Sequence, residues 1–583
     1  MTLPSPGQRV LMAGNNAIAQ GAYEAGVYFA SGYPGTPSTE ILEVISEYPE
    51  IRAQWGTNEK VAFDEAMGVA MSGKRALVSM KYVGLNVAAD SFMVFPFAGT
   101  VGGFVVISAD DPGMYSSQNE QDNRYFARLA QVPMIEPSDP QEAKDFVRLA
   151  FELSEKFSTP VMYRTSMRVS HSKGMVTVGE RSEVPAKTFV KDIPNWVVPV
   201  FAKGLRAKLD AKLARISEYV ETYPYNRVEE GSSKVGVITS GASYTYAKEI
   251  LPDATVLKLA ITYPLPKQTL IDFCARFDQV YVIEELEPFI EEQLRFWGVT
   301  NIIGKDRFPH TGEFSPDVVA KAVFDEEPVQ DFSGEFDLIV RPPQLCPGCP
   351  HRGAFLALRK SGALVNGDIG CYTLGCLPPL SANHTTFCMG ASIGNAFGFG
   401  VGGTDKVVAI IGDSTFVHGG IQPLIDVVYN GGNTTVMILD NRTTGMTGHQ
   451  EHPATGMTLQ GKEAPRLDLV KLVKAIGVEH VQVANPFDQK EMYSAVKEAL
   501  EYQGPSVIMT NQPCIFARGE KGRKYTPFVV LEDKCTKCGA CQRIGCPGVL
   551  PGEVPAIDEV ACTGCSLCEQ ACKFGAIVRK GDA

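Results

Sequence analysis

The sequence predicts a multidomain α/β protein: two parallel-sheet α/β domains flank a smaller α/β domain, and a short cysteine-rich domain closes the chain. Three observations carry this reading. Glycine-punctuated alternation of strand-like and helix-like segments runs from residue 9 to about 175, and again from Arg341-Pro342-Pro343 to near residue 520, as expected of parallel sheets covered by helices. A shorter stretch of the same alternation fills 234–330, with KVGVITSGAS, ATVLKLA and QVYVIEELE as its strands. Eight cysteines then fall in two bursts within the final segment, from about residue 527.

The length of 583 residues suits several domains at about 150 residues each. Hydrophobic content of 44% and charged content of 21% describe an ordinary globular composition. A formal net charge of −12 argues against nucleic acid or an anionic membrane as a partner. GGFVVISA and VVAIIGD are the length of buried strands, and no apolar run reaches the roughly 18 residues a membrane span needs. The first residues hold one basic side chain and no continuous apolar core, so no signal peptide is expected. Fifteen cysteines without a secretion signal are expected as metal ligands or reduced thiols in a cytoplasmic protein. No short-period repeat is visible.

Taken in order, the expected domains are 1–180, a polar and partly helical connecting segment at 181–232, the small α/β domain at 233–332, the second large α/β domain at 333–525 and the cysteine-rich domain at 526–583. In the first, Thr57-Asn58-Glu59 precedes the helical pattern KVAFDEAMGVAMSGKRAL, with Gly68 and Gly73 expected where it packs closely. Asp64 and Glu65 read as surface or structural carboxylates of that helix. In the fourth, 407–441 reads strand, turn, helix, strand: VVAII, then Gly412-Asp413-Ser414-Thr415, a helix to about Asn430, and TTVMILD before Asn441.

The last segment is the most specific. Cys535-x-x-Cys538-x-x-Cys541-x4-Cys546-Pro547 and Cys562-x-x-Cys565-x-x-Cys568-x3-Cys572 have the spacing of a bacterial-type ferredoxin domain with two [4Fe–4S] clusters. In that arrangement three thiolates of each burst hold one cluster and the fourth crosses to the other. Cys535, Cys538, Cys541 and Cys572 would hold the first cluster, and Cys562, Cys565, Cys568 and Cys546 the second. Gly539, Gly545, Gly564 and Gly575 stand where such turns need glycine. Two departures are visible: four residues rather than three precede Cys546-Pro547, and Lys573 follows Cys572 where proline is usual. Paired zinc knuckles are the alternative, but zinc needs four thiolates per site and not an interlocked set.

Asp413 and Asn441 both lie at carboxyl ends of strands, where open parallel sheets gather their ligands. A carboxylate, an amide oxygen and a nearby carbonyl form a hard-oxygen set suited to Mg²⁺ on a diphosphate. Gly412 lets phosphate oxygens approach the backbone, and the helix start at Ser414 favours negative charge. The pattern resembles the thiamine diphosphate motif, and Thr443 would supply the carbonyl by that resemblance. Thiamine chemistry also needs a carboxylate against the aminopyrimidine ring, to promote the tautomer that takes the thiazolium proton. Glu59 matches that residue; its alternative reading is a carboxylate favoured by a helix N-terminus.

Gly32-Tyr33-Pro34-Gly35-Thr36-Pro37-Ser38 and Cys346-Pro347-Gly348-Cys349-Pro350-His351-Arg352 extend the likeness over essentially the whole chain. With the motifs above, the sequence resembles the 2-oxoacid:ferredoxin oxidoreductase superfamily, in particular the α subunits of its indolepyruvate (arylpyruvate) branch. The resemblance implies a pyrimidine-binding domain, a transketolase-C-like domain, a diphosphate-binding domain and a ferredoxin domain, in that order. It implies that Thr36 sits near the reacting keto acid and that Glu59 is the pyrimidine partner. It also implies a third, proximal [4Fe–4S] cluster on Cys346, Cys349, Cys371 and Cys514; the alternative is four buried reduced thiols. Cys274, Cys376 and Cys388 have no partner spacing. A γ-type domain found in complete members has no counterpart here. A smaller β subunit carrying it is therefore expected, with further pairing into a dimer of heterodimers, coenzyme A as co-substrate and ferredoxin as electron acceptor.

A non-oxidative thiamine decarboxylase would leave the cysteines without purpose. A purely electron-transfer subunit would not need Glu59, Asp413 and Asn441. For the substrate, Ala109-Asp110-Asp111 stands where pyruvate-type members would place an arginine clamp, and the loop Gly113–Asp122 is expected to line the pocket. Gly445-Met446, beside the Mg²⁺ motif, would set an apolar side chain against the substrate. The arylpyruvate expectation itself comes from the resemblance. His418 and His449 flank the thiamine motif as candidate contacts, and His171 reads as a loop histidine.

Overall fold

The computed structural model describes residues 5–325 and 342–582. The chain divides into two compact units, 1–338 and 339–583. The domain limit expected at 332/333, and Arg341, lie outside the described residues.

In the first unit a seven-stranded sheet runs in the order Ile261–Tyr263, Met134–Ile135, Val161–Ser166, Phe104–Asp110, Ala76–Lys81, Phe29–Gly32, Arg52–Trp55. All neighbours are parallel except the first pair. Every residue of Phe104–Asp110 and of Val161–Ser166 is buried, because helices cover both faces and leave no solvent side for polar alternation. Phe63 on helix Glu59–Met71 meets Phe92, Phe95 and Phe104 edge-on at 5.0–6.4 Å, and this fixes the helix over the sheet. Asn58 caps that helix, accepting from the Val61 amide at 2.9 Å. Gly68 would meet nothing within 4 Å if it carried a Cβ, so it is not the close-packed position the sequence suggested. Gly73 is one: at φ +94, its Cβ would lie 1.7 Å from the Lys187 carbonyl.

The small sheet runs Ile302–Ile303, Val280–Ile283, Gly236–Ser240, Thr255–Leu259, Arg227–Glu229, with only the last strand antiparallel. Its three middle strands fall on the three segments read from the sequence, whereas Ile302–Ile303 lies beyond them and Arg227–Glu229 lies in the stretch expected to be a connecting segment. Immediately after Thr255–Leu259 the chain leaves this sheet, and Ile261–Tyr263 pairs with Met134–Ile135 of the large one. Between 181 and 232 the main element is a 23-residue helix, Pro199–Glu221.

The second unit is built on a five-stranded, wholly parallel sheet: Leu364–Asn366, Val407–Gly412, Thr435–Leu439, Ser506–Thr510, His480–Ala484. Beyond it, Phe528–Val530 pairs with Ile577–Arg579, and Val549–Leu550 with Ala556–Ile557. Among the described residues no helix is long and apolar enough to cross a membrane.

Candidate functional site

In the first unit, the Gly35–Thr36 loop leaves the strand Phe29–Gly32, and Lys81 ends the neighbouring strand Ala76–Lys81. Glu59 opens its helix and is 6% exposed. Gly84, on the short helix after Lys81, lies against it: a Cβ there would come within 2.7 Å of Glu59 Cγ and Oε1. This glycine is required for space, since its backbone is ordinary helix. Gly84→Ala is therefore expected to displace the Glu59 carboxylate. Turnover should fall at least tenfold, against a stability cost of about 1–3 kcal/mol for the overpacked methyl. Thiamine-dependent turnover measured beside thermal unfolding checks this, and unchanged turnover would show that the position of Glu59 is immaterial.

Thr36 lies under the loop predicted to line the pocket. Ser116 Oγ donates to the Thr36 carbonyl at 3.4 Å, and the Asp111 carboxylate accepts from the Ser116 amide at 2.9 Å and from the Ser117 hydroxyl. Tyr82 Oη donates to the Asn119 carbonyl. Lys81 is buried beneath the same loop and donates to the Ser116 carbonyl at 2.7 Å. Burial pushes its ammonium down to about 8, against the pull of Asp111. Asp110 is committed elsewhere, accepting from Arg164 Nε at 2.8 Å, and Arg164 also reaches Glu136 at 2.6 Å. His171 ends a short helix, Met167–His171, and lies 3.7 Å from Glu40, which raises its pKa; it is not the loop residue expected.

In the second unit, the parallel register Gly412↔Leu439 brings Asp413 and Asn441 to the same sheet end. Both are buried. Asp413 accepts from the Ser414 amide at 2.9 Å and the Arg442 amide at 2.8 Å, and His452 Nε2 lies 3.2 Å from its Oδ2. Burial alone would raise the Asp413 carboxyl, but the His452 imidazole and the Ser414 amide outweigh it and hold it below the usual range. Its neighbour Asp440 goes the other way, pushed up to about 6 by burial and by the Asp413 charge. Asn441 Oδ1 accepts from the Thr443 amide at 3.3 Å, and its Nδ2 is 3.4 Å from His351 Nε2. Ser414 Oγ accepts from Thr444 at 2.9 Å. A Cβ on Gly445 would lie 3.7 Å from Asn441 Nδ2 and 3.9 Å from His449 Nδ1, so Gly445 and His449 both border the site. Met446 is 49% exposed there. His418 is buried in the helical run after Asp413.

His351 and His452 were not read from the sequence as site residues. His351 sits in the Cys346–Arg352 motif but has no spacing that marks it, and His452 has no local signal. Burial pushes His351 down to about 4, so it is neutral at pH 7, and its buried Nδ1 has no hydrogen-bond partner among the described residues. One carboxylate, an amide and backbone carbonyls beside an imidazole whose Nδ1 is unpartnered fit a diphosphate held through Mg²⁺.

Cys346, Cys349, Cys371 and Cys514 converge next to this site. Cys346 lies within electrostatic reach of the other three, and Cys371 of Cys514. The Cys514 amide donates to the Asn441 carbonyl at 2.9 Å, and a Cβ on Gly445 would lie 3.2 Å from Cys371 Sγ. Burial pushes the Cys349 and Cys371 thiols up to about 12, so they would ionise only on binding metal. Cys274 is buried, whereas Cys376 and Cys388 are exposed.

The tail holds two cysteine-lined cavities. One is bordered by Cys535, Cys538, Cys541 and Cys572, the other by Cys546, Cys562, Cys565 and Cys568. That is the crossed-over grouping. Gly539, Gly545, Gly564 and Gly575 all have φ between +62 and +69. Backbone amides point at sulfur, Ala576 to Cys572 at 3.4 Å and Phe528 to Cys562 at 3.5 Å. Among the described residues no three His, Cys, Asp or Glu side chains converge on a single-ion position.

A buried carboxylate and amide at one sheet end of the second unit, with two cysteine-lined cavities in the tail of the same unit, make the arrangement of a thiamine-diphosphate enzyme that passes electrons to iron–sulfur clusters. Family models agree: residues 20–194 match "Pyruvate flavodoxin/ferredoxin oxidoreductase, thiamine diP-bdg", 368–510 match "Thiamine pyrophosphate enzyme, C-terminal TPP binding domain", and 555–578 match "4Fe-4S binding domain". The chain is 40% identical to the indolepyruvate oxidoreductase subunit IorA of Archaeoglobus fulgidus, over 98% of this chain and 97% of that one. It is 41% identical to the subunit of the same name from Thermococcus kodakarensis, over 98% and 97%, and 40% identical to that of Methanothermobacter marburgensis, over 99% and 98%. The chain belongs to the family of indolepyruvate oxidoreductase subunits IorA. It is a subunit of a thiamine-diphosphate-dependent 2-oxoacid:ferredoxin oxidoreductase.

Proposed function

We propose that this subunit oxidatively decarboxylates arylpyruvates such as indolepyruvate and phenylpyruvate. The 2-oxoacid and coenzyme A give arylacetyl-CoA, CO₂, one proton and two electrons, which leave singly to ferredoxin. Glu59 serves the aminopyrimidine; Asp413, Asn441 and the Thr443 carbonyl hold Mg²⁺ on the diphosphate; Gly412, Ser414 and Gly445 border it; and Thr36 faces the keto acid. When bound, thiamine diphosphate supplies the nucleophilic carbon and the electron sink for decarboxylation. Cys346, Cys349, Cys371 and Cys514 hold a proximal [4Fe–4S] cluster, and the eight tail cysteines hold two more. A smaller β subunit with the γ-type domain completes the enzyme, which pairs further as a dimer of heterodimers in the cytoplasm. The observation that supports this reading is the group of four cysteines of which Cys514 borders Asn441 and Cys371 borders Gly445; a cluster held there would accept electrons beside the diphosphate. The arylpyruvate preference is supported by the relatives, which are indolepyruvate oxidoreductase subunits, and by the apolar Met446 beside the site.

The test is an anaerobic assay of the subunit co-expressed with its small partner, following methyl viologen reduction with CoA, thiamine diphosphate and Mg²⁺. Fastest CoA-dependent reduction with indolepyruvate supports both chemistry and substrate. Fastest reduction with pyruvate or 2-oxoglutarate overturns the substrate. Aldehyde and CO₂ without dye reduction overturns the oxidative route.

A 2-oxoacid brings a carboxylate, and Lys81 is the buried cation beside the Thr36 loop, with donors left after its bond to Ser116. Lys81→Met is expected to raise KM for the keto acid about 10- to 100-fold, the worth of a charged hydrogen bond, with thiamine diphosphate binding unchanged. In the wild type, kcat/KM for the keto acid should fall as pH rises past about 8, where Lys81 loses its proton. An unchanged KM in the variant would remove Lys81 from the substrate site.

A further inference from the structure

Arg352 is buried at 1% exposure between the proximal cysteine ring and one tail ring. Its Nη1 donates to the Cys346 carbonyl at 2.9 Å, and its Nη2 to the carbonyls of Leu345 and Gly545, each at 3.0 Å. Leu345 and Cys346 belong to the proximal ring's loop, and Gly545 immediately precedes Cys546 of the tail ring. The same guanidinium lines the cavity bordered by Cys546, Cys562, Cys565 and Cys568, together with Pro347 and Gly348. The loops of the two rings touch directly: at φ +66, a Cβ on Gly348 would lie 1.9 Å from Thr563 Oγ1. Arg352 Nε is buried with no hydrogen-bond partner among the described residues. A buried charged donor with nothing to bond is costly.

We infer that Arg352 is a positioning residue for electron transfer: one positive charge shared by two neighbouring [4Fe–4S] clusters, fixing their spacing and setting their reduction potentials together. The inference rests on the reading of Cys346, Cys349, Cys371 and Cys514 as a cluster site. Reduction adds one negative charge to a cluster, and a fixed cation beside it stabilises that form; net charge and hydrogen bonds are the protein's levers on potential. A charge placed between two clusters raises both and keeps the step between them level. One electron then crosses as the proximal cluster is oxidised and its neighbour reduced, with no proton moved. The unpartnered Nε–H is the donor such a cluster would take up.

The experiment is an EPR-monitored redox titration of the anaerobically purified full chain, as wild type, Arg352→Met and Arg352→Lys. Arg352→Met is expected to lower two midpoint potentials, each by about tenfold in the reduction equilibrium, or about 59 mV for one electron. The third, on Cys535, Cys538, Cys541 and Cys572, should stay. Arg352→Lys keeps the charge and should keep most of the potential while losing stability with the forked carbonyl bonds. A merely structural arginine would leave potentials alone in both variants, or move all three together, and either result overturns the inference. Should Arg352→Met fail to fold, pulsed EPR of wild type labelled with ¹⁵N-arginine decides: a weak nitrogen coupling in the reduced chain is expected, lost in Arg352→Lys, and its absence overturns the inference. The underlying reading fails separately, before any variant is made, if wild-type iron and sulfide amount to only two clusters.

Discussion

Glu59→Gln is expected to reduce turnover by about 10²- to 10⁴-fold, the range of a lost general acid–base contribution, while the chain folds and keeps its iron. The two readings of Glu59 separate cleanly in this variant. As a carboxylate favoured by the helix N-terminus it would contribute about 0.3–1 kcal/mol, and nothing else. The cap of this helix is Asn58, which bonds the Val61 amide, so replacing Glu59 leaves the cap in place. Glutamine has the same shape and sits equally well against Gly84. What it cannot do is give and take the proton that the aminopyrimidine tautomer needs. Single-turnover decarboxylation and thermal unfolding, measured on the same preparation, decide between them. Full turnover in Glu59→Gln would leave only the helix role.

Asp413→Asn is expected to weaken Mg²⁺-dependent thiamine diphosphate binding by at least about 100-fold, since loss of a mere outer partner of a metal ligand costs 10–100-fold. Asparagine keeps one carbonyl to accept from the Ser414 or Arg442 amides, so the turn after Val407–Gly412 should survive. The charge is what disappears, and with it the attraction for the cation and for His452 at 3.2 Å. Asp440 lies close enough to be pushed up to about 6 by Asp413, and it should relax toward its ordinary value in the variant. Calorimetric titration with thiamine diphosphate and Mg²⁺ measures the affinity, and EPR of the reduced clusters shows whether the cysteine rings are intact. Normal affinity would mean that the diphosphate is held elsewhere.

The cysteine spacing needed no structure to read. Ligands to one cubane must come from tight local turns, so the chemistry is written in short intervals, and the crossed grouping appears around the two tail cavities. The same holds for Asp413 and Asn441, which the strand periodicity alone carries to one sheet end. What stayed hidden is non-local. Gly84 shapes the Glu59 pocket from a different helix, and no pattern around residue 84 announces it, whereas Gly68, chosen for its place in a small-residue helix, faces open space. His452 reaches Asp413 from 39 positions away in the chain, and His351 and Arg352 sat inside a motif that was read for its cysteines. Lys81 stands at the end of a fully buried strand, where nothing local sets it apart. The loop after Asp110 was legible as a pocket wall, but not the Asp111 bonds that hold it over Thr36.

The excursion of Ile261–Tyr263 into the large sheet has a consequence for how this protein can be divided or recombined. Thr262 Oγ1 donates to Glu136 at 2.6 Å, and the Glu136 amide donates to the Ala260 carbonyl at 2.8 Å. A cut in the linker before residue 233 would therefore strip the large sheet of its outermost strand. Met134–Ile135 would be left as a bare edge open to pairing with foreign chains, and Glu136 would lose a hydroxyl donor. The smallest transplantable module in this half of the chain is both lobes together, and a chimera that exchanges either one alone must supply a replacement strand.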